Sequence, residues 1–302
     1  RIVRRNDFDA WLAEKTRESG IENREGVTVK NVSPQNDEVM VETSAGTFKA
    51  KVVVGADGSK GVTRRCILPN APGHISRALE VITPEYDHIA GSGAAAMRQS
   101  NALFNDMHEK DHAYFDFFPV SEGIAGYTWD FPTQINGKPM RCWGIYESNL
   151  SVSKERLILK DLLAKDMARH GFDLGRYKIE GHPIRRFSPF NRFSVPRVIL
   201  VGDAAGADGF FGEGISMALG YGLVAARAIN DAFAQNEFSF CNYRRRILFS
   251  PLGQTLTIRT AISHILYRLH SMWLQKIFGP TFRPFVEAFS RIFVINWANR
   301  MK

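Results

Sequence analysis

Cysteine is scarce in this 302-residue chain: only Cys66, Cys142 and Cys241 are present, and no two lie at C-x-x-C spacing. That excludes a disulfide framework and a Cys/His zinc site, and it suits a reducing, cytoplasmic setting. No apolar run reaches the roughly eighteen residues that a membrane-spanning helix needs. Also missing are a Ser/His/Asp arrangement, a paired-carboxylate site and any ligand cluster at metal spacing. The expected metal is therefore none, and the sequence names no catalytic side chain. Acidic residues run short only at the end. From Arg244 onward ten Lys and Arg face one acid, Glu287, while the remainder is close to neutral. A basic excess confined to the tail argues against a nucleic-acid binder.

What is present centres on Arg197 to Ile229, RVILVGDAAGADGFFGEGISMALGYGLVAARAI. Val198-Ile199-Leu200-Val201 reads as a buried parallel strand. It runs into Gly202-Asp203, then into a loop carrying Gly206, Gly209, Gly212 and Gly214, then into an apolar helix from about Gly214. Glycine at 212 and 214 lets backbone approach a ligand with no Cβ in the way. The helix start offers unpaired N–H groups and a positive dipole end, which suit a phosphate. An Asp at the strand's end accepts hydrogen bonds from a ribityl or ribose hydroxyl. A second buried strand, Lys51 to Gly55, ends in the same way, on Ala56-Asp57-Gly58.

Three stretches carry a family resemblance. GDAAG followed five residues later by GEGI, VVVGADGSKGVTRR, and the helix start Arg5-Asn6-Asp7-Phe8-Asp9 resemble, in order and spacing, motifs of the flavoprotein hydroxylase and geranylgeranyl reductase superfamily. The resemblance implies FAD as cofactor, with Asp203 at the ribityl chain beside Gly202. It puts Gly212, Glu213, Gly214 and Ile215 along the isoalloxazine and phosphates, Asp57 and Gly58 near the flavin and pyrophosphate, and Arg5 on FAD. Gly61 stands where the family often has Ser. Gly209 stands where Pro is usual, which predicts a looser loop. The family also opens with a βαβ unit bearing G-x-G-x-x-G. No such unit precedes Arg1, and the expectation is a fragment. Gly91-Ser92-Gly93-Ala94-Ala95-Ala96 follows no buried strand and reads as a flexible loop.

The expected fold is α/β, α+β overall: a Rossmann-like FAD-binding domain of the glutathione-reductase type, an inserted antiparallel-sheet substrate domain and a C-terminal helical tail. The boundaries read 1–66 and 191–235 for the FAD domain, 67–190 for the substrate domain, and 236–302 for the tail. Asp7 or Asn6 is the expected cap of a helix from Phe8 to Ser19. In the middle region Ala113 to Val120 and Gly126 to Phe131 read as adjacent strands. Tyr127, Trp129 and Phe131 are two apart and share a sheet face. Spacing alone favours core packing over a lipid cavity for that face. However, Tyr-x-Trp-x-Phe-Pro resembles the substrate motif of geranylgeranyl reductases, which makes these three the candidate substrate residues. A helix through Leu157, Leu162, Leu163 and Met167 is expected to cover this sheet. His182 reads as a structural histidine. In the tail, Ile262, Ile265, Leu266, Leu269, Met272 and Trp273 form an apolar stripe with Arg259, Arg268, His270 and Gln275 beside it; Phe285, Phe289, Ile292 and Phe293 repeat the pattern, and Trp297 follows. Two readings stay open, a helical cap on the body or peripheral membrane contact through 244–302.

The resemblance implies an FAD-dependent oxidoreductase that reduces C=C bonds of a prenyl or other apolar lipid-like substrate by hydride transfer from reduced flavin. NAD(P)H or another donor would reduce the flavin. An FAD-dependent monooxygenase acting on an aromatic or apolar substrate, and a non-catalytic relic binding lipid or a partner, are the alternatives.

Overall fold

The computed structural model describes residues 4–71, 73–85, 112–120, 122–150, 158–268, 283–289, 291–292 and 296–301. The Gly91–Ala96 loop, Leu157, Phe293 and the tail positions 269–282 lie outside the described residues. In chain order the elements are α1 (Arg5–Glu18), β1 (Val29–Pro34), β2 (Val39–Thr43), β3 (Gly46–Ala50), β4 (Val53–Gly55), α2 (Val62–Ile67) and β5 (Ile75–Pro84). Then come β6 (Tyr114–Asp116), β7 (Gly126–Ile135), β8 (Lys138–Glu147), α3 (Leu159–Arg169), β9 (Ile179–Arg185), β10 (Ser194–Val195) and β11 (Val198–Leu200). The chain continues with α4 (Gly202–Ala205), α5 (Ile215–Gln235), α6 (Tyr243–Phe249), α7 (Pro251–Arg268) and α8 (Arg283–Phe289). Among the described residues no helix is long and apolar enough to cross a membrane. Two compact units result: Arg1–Glu25, Ala78–Glu147 and Ser153–His182 form one, and Gly26–Arg77, Ser148–Val152 and Pro183–Lys302 form the other.

In the second unit β4 and β11 pair in parallel, Val53 opposite Val198 and Gly55 opposite Leu200. Val198, Ile199 and Leu200 are fully buried, as an unbroken β-branched and Leu run at a sheet centre requires. β1, β2 and β3 form a separate antiparallel sheet, whose Val32 and Val39 pack on Val198. Helix α5 is rich in Ala and Gly, and the small side chains let it lie close on its neighbours. Its Met217, Tyr221, Val224 and Ala228 share a core with Ile199 and Leu200.

The tail belongs to that core. Tyr243, Ile247, Leu252, Leu256, Trp297 and Met301 are buried in it, at about 1.5–3 kcal/mol for each large apolar side chain withdrawn from water. Trp297, which the sequence leaves open between a membrane interface and a helical cap, lies against α5, where a Cβ on Gly220 would come within 2.9 Å of its ring. Over α6, the first part of α7 and the 297–301 turn, the tail is thus a cap on the body of this unit.

The first unit holds a five-stranded sheet in the order β6-β7-β8-β5-β9. α3 covers one face, with Leu159, Leu162, Leu163 and Met167 against Val81, Trp143 and Ile145. Helix α1 starts earlier than its expected cap. Arg4 occupies the N-cap position without a side-chain hydrogen bond, and Asp7 sits in the first turn, where its charge favours the dipole. The Arg5–Asp9 pair at i, i+4 spans that turn and supports the earlier start.

Candidate functional site

β4 and β11 end side by side, and each chain turn that follows carries an acid. After β11, Gly202 takes a left-handed φ of 53° and starts the short α4, which carries Asp203. After the 206–214 loop, α5 begins at Ile215 with no side-chain cap on its first N–H groups. The loop brings Gly214 back to Asp203. A Cβ at Gly214 would stand 3.3 Å from Asp203 Oδ1, so a side chain there would narrow the space between the carboxylate and the helix start. Gly212, at φ 68°, adopts a conformation that favours glycine.

The turn after β4 is held in a way its sequence does not announce. The Thr63 N–H donates to Asp57 Oδ2 at 2.7 Å, so Asp57 caps α2. Gly61 makes that possible, because a Cβ there would fall 2.2 Å from Asp57 Oδ1. The departure from the family's Ser therefore leaves room for the Asp57 carboxylate to fold over the helix start. Gly61→Ala is expected to displace Asp57 and to lower stability by about 1–3 kcal/mol, read by urea denaturation. Ser59 Oγ lies 3.5 Å from Asp203 Oδ2 and accepts the Arg185 N–H at 2.8 Å. Gly58, at φ 80°, has nothing within 4 Å of a built Cβ and leaves open space beside this turn.

Positive charge backs the two turns. Arg64 is 3% exposed and donates from Nη1 to the Ala204 carbonyl at 3.0 Å, tying α2 to α4. Its Nη2 and the Nε of Arg185 are buried without a hydrogen-bond partner. Burial, with the Arg185 guanidinium nearby, lowers Arg64 to about 10. Burial also lowers Arg185, and burial with the Arg186 and Arg185 charges lowers His74. Two guanidiniums with donors to spare and an uncapped helix start supply donors, and a carboxylate against a glycine supplies an acceptor, a combination that fits the pyrophosphate and hydroxyls of a dinucleotide. The residues present therefore fit FAD.

The 208–214 loop is not the loose segment that Gly209 predicts. Asp208 is fully buried and accepts the Phe210 N–H at 2.8 Å and the Phe211 N–H at 3.2 Å. Arg259 of α7, also fully buried, donates from Nη1 to Asp208 Oδ2 at 2.7 Å and to Glu213 Oε2 at 2.9 Å. The other Glu213 oxygen accepts from Ser216 Oγ. Glu213, a candidate cofactor residue, thus has both carboxylate oxygens engaged within the protein. Arg259, expected on the solvated flank of the tail stripe, is instead at its buried face, and Ile265 of that stripe is 59% exposed. The signal that finds this face is the four-residue spacing of Arg259, Ser263 and Tyr267, one turn apart along α7.

Two candidate groups lie in the first unit. Arg5 is exposed and paired with Asp9 at 3.0 Å. Tyr127, Trp129 and Phe131 share one face of β7, with neighbouring ring centroids 5.9 and 6.1 Å apart. Phe115 of β6 joins them, 5.4 Å from Tyr127 and 5.0 Å from Phe131. Opposite Trp129 on β8 is Gly144; a Cβ there would lie 2.0 Å from the indole ring. The glycine lets Trp129 lie over the neighbouring strand. The helix expected to cover this sheet packs on its other face, with Trp143 and Ile145. Tyr127 is buried, Trp129 and Phe131 are half-buried, and Phe115 is 48% exposed. His182 is exposed on β9 rather than set in a core. Among the described residues no group of His, Cys, Asp and Glu is placed to hold a metal ion.

No family model matches the chain. An uncharacterized protein of Methanosarcina barkeri is 26% identical over 82% of this chain, which spans 56% of that protein's length. The digeranylgeranylglycerophospholipid reductase 3 of Methanosphaera stadtmanae is 26% identical over 88% of this chain and 70% of its own. Among solved structures, a geranylgeranyl bacteriochlorophyll reductase-like protein of Thermoplasma acidophilum superposes with a TM-score of 0.66 at 20% identity, covering 95% of this chain and 75% of that one. The chain thus spans little more than half the length of one relative and under three quarters of another. It is similar in fold to a geranylgeranyl bacteriochlorophyll reductase-like protein and in sequence to a digeranylgeranylglycerophospholipid reductase.

Proposed function

We propose that the chain is the cofactor- and substrate-binding body of an FAD-dependent reductase acting on C=C bonds of a prenyl or other apolar lipid-like substrate. The observation that carries this reading is the Asp203–Gly214 cradle in a chain related to a digeranylgeranylglycerophospholipid reductase. FAD, when bound, supplies the hydride chemistry. The chain's own part is to bind and orient. Asp203 accepts a hydroxyl hydrogen bond, Gly212 and Gly214 admit backbone to close range, and the first N–H groups of α5 with Arg64 and Arg185 favour phosphate. Tyr127, Trp129, Phe131 and Phe115 offer an aromatic face to an apolar chain. NAD(P)H or another donor completes the cycle. Peripheral membrane contact through 244–302 suits the exposed apolar side chains there, Phe249 at 75% and Ile265 at 59%, set among basic residues.

The deciding experiment photoreduces the FAD-loaded protein without oxygen and adds a geranylgeranyl lipid. Reoxidation of the flavin, with two hydrogens gained per double bond, is the expected result. Failure to reoxidise, with substrate-dependent oxygen uptake in air, would replace the reductase by a hydroxylase. A folded protein that takes up no FAD would leave a lipid- or partner-binding protein.

A further inference from the structure

The tail helix α7 presents three polar side chains to the glycine loop from a single face. Arg259, Ser263 and Tyr267 are four residues apart, and all are 0–1% exposed. Arg259 Nη1 reaches Asp208 and Glu213, at the two ends of the loop. Its guanidinium carbon lies 5.8 Å from the centre of the Phe211 ring. Tyr267 donates its hydroxyl to the Phe210 carbonyl at 2.8 Å, and its ring is 5.7 Å from that of Phe210. Ser263 Oγ would stand 3.7 Å from a Cβ on Gly209. Asp208 in turn accepts the Phe210 and Phe211 N–H groups, and Gly212 N–H donates to the Asp208 carbonyl at 3.1 Å. A buried arginine shared between two carboxylates is costly unless every partner is satisfied. Here the satisfied cluster closes the loop that ends on Gly214, the glycine facing Asp203.

We infer that Arg259 is a positioning residue of the cofactor site: by bridging Asp208 and Glu213, it fixes the 208–214 loop so that Gly212 and Gly214 stand where the dinucleotide is received. Helix α7 of the tail is then an integral part of that site. The inference rests on the FAD reading above. It assigns Arg259 no contact with the cofactor.

The test uses the full chain with the double variant R259M/D208N and the single variant R259K. The side-chain amide introduced by D208N keeps one acceptor oxygen, for the Phe210 N–H now on Oδ1, while its NH2 replaces the Oδ2 that accepts the Phe211 N–H. The double variant therefore removes the ion pair and the Phe211 bond, and leaves the Phe210 bond and the Gly212 bond to the Asp208 carbonyl. R259K keeps the cation, and one ammonium can serve both carboxylates because a single guanidinium nitrogen reaches both now. Two readouts are taken: amide hydrogen exchange at Phe210 and Gly212, whose acceptors the double variant keeps, in the cofactor-free chain, and FAD affinity by flavin fluorescence. In the double variant these two amides are expected to exchange at least tenfold faster and the FAD Kd to rise at least tenfold, while far-UV circular dichroism stays that of the parent. R259K is expected to recover most of both changes. Parent-like exchange and affinity in the double variant, or a lysine variant no better than the double, would overturn the inference. A parent chain that binds no FAD would sink the cofactor reading instead, and the exchange measurement would still decide whether Arg259 holds the loop.

Discussion

Arg259→Met is expected to cost about 3–5 kcal/mol, the usual range for removing one partner of a buried ion pair. Methionine keeps much of the volume, so the loss comes from charge and not from a cavity. Asp208, 0% exposed, would be left facing Glu213 with no cation. A penalty of that size is a large fraction of the roughly 5–15 kcal/mol that holds a domain together. Its pH dependence has a definite sign. Burial raises the Asp208 carboxyl above its ordinary 3.8, and the Arg259 charge opposes that rise. Without Arg259 the folded-state pKa moves further up. Below 3.8 both states carry the proton and the variant loses little through this group. As pH climbs past that value the unfolded chain releases its proton first, and the penalty grows until the folded carboxyl ionises too. Urea denaturation of parent and variant at pH 5 and pH 8 should therefore show the larger gap at pH 8. An equal gap at both would mean that Asp208 stays ionised without its arginine, contrary to the burial argument.

Why this pair escapes the sequence while the cradle does not is a matter of distance along the chain. Strand, Gly-Asp turn, loop and helix start lie within Val198 to Ile215, so the pattern that marks Asp203 and Gly214 as candidates is local in sequence. Arg259 meets Asp208 across 51 residues, and a charged residue among apolar ones on a helix normally marks the solvated flank. The apolar stripe points to the wrong side of α7 for that reason: Ile262, Ile265 and Leu266 carry the hydropathy, while Leu252, Leu256, Arg259, Ser263 and Tyr267 carry the burial. The alternation of Tyr127, Trp129 and Phe131 is legible because it is local. The glycine beneath Trp129 is not, since Gly144 faces it only through the β7–β8 register. Gly61 is intermediate. Its departure from the family pattern is visible in the sequence, but only the fold of the turn reveals that the Asp57 carboxylate fills the space a side chain there would need.

Gly214→Val separates folding from binding. The backbone at Gly214 has φ −117° and ψ −40°, which side-chain-bearing residues adopt, so no left-handed strain opposes the change. The one close neighbour of a Cβ is Asp203 Oδ1 at 3.3 Å, a contact that the carboxylate relieves by shifting a few tenths of an ångström. Valine also sits at the cap position before α5 rather than in the helix interior, where β-branching would weigh on propensity. Thermal stability of the cofactor-free chain is thus expected to stay within a few degrees of the parent. The cost falls on what enters the space. Two methyl groups would crowd the Asp203 carboxylate at the point where it accepts a ligand hydroxyl, and would lie across the approach to the α5 N–H groups. Loss of one charge-assisted hydrogen bond and a close backbone approach is worth about 2–3 kcal/mol together, or roughly 30- to 150-fold in the FAD Kd. The control is Gly222→Val on the same helix, where a built Cβ meets nothing within 4 Å; it should leave affinity unchanged. Titration of both variants with FAD against their melting curves checks the separation. A Gly214→Val protein that binds FAD as the parent does would move the cofactor away from this cradle, and Asp203 with it.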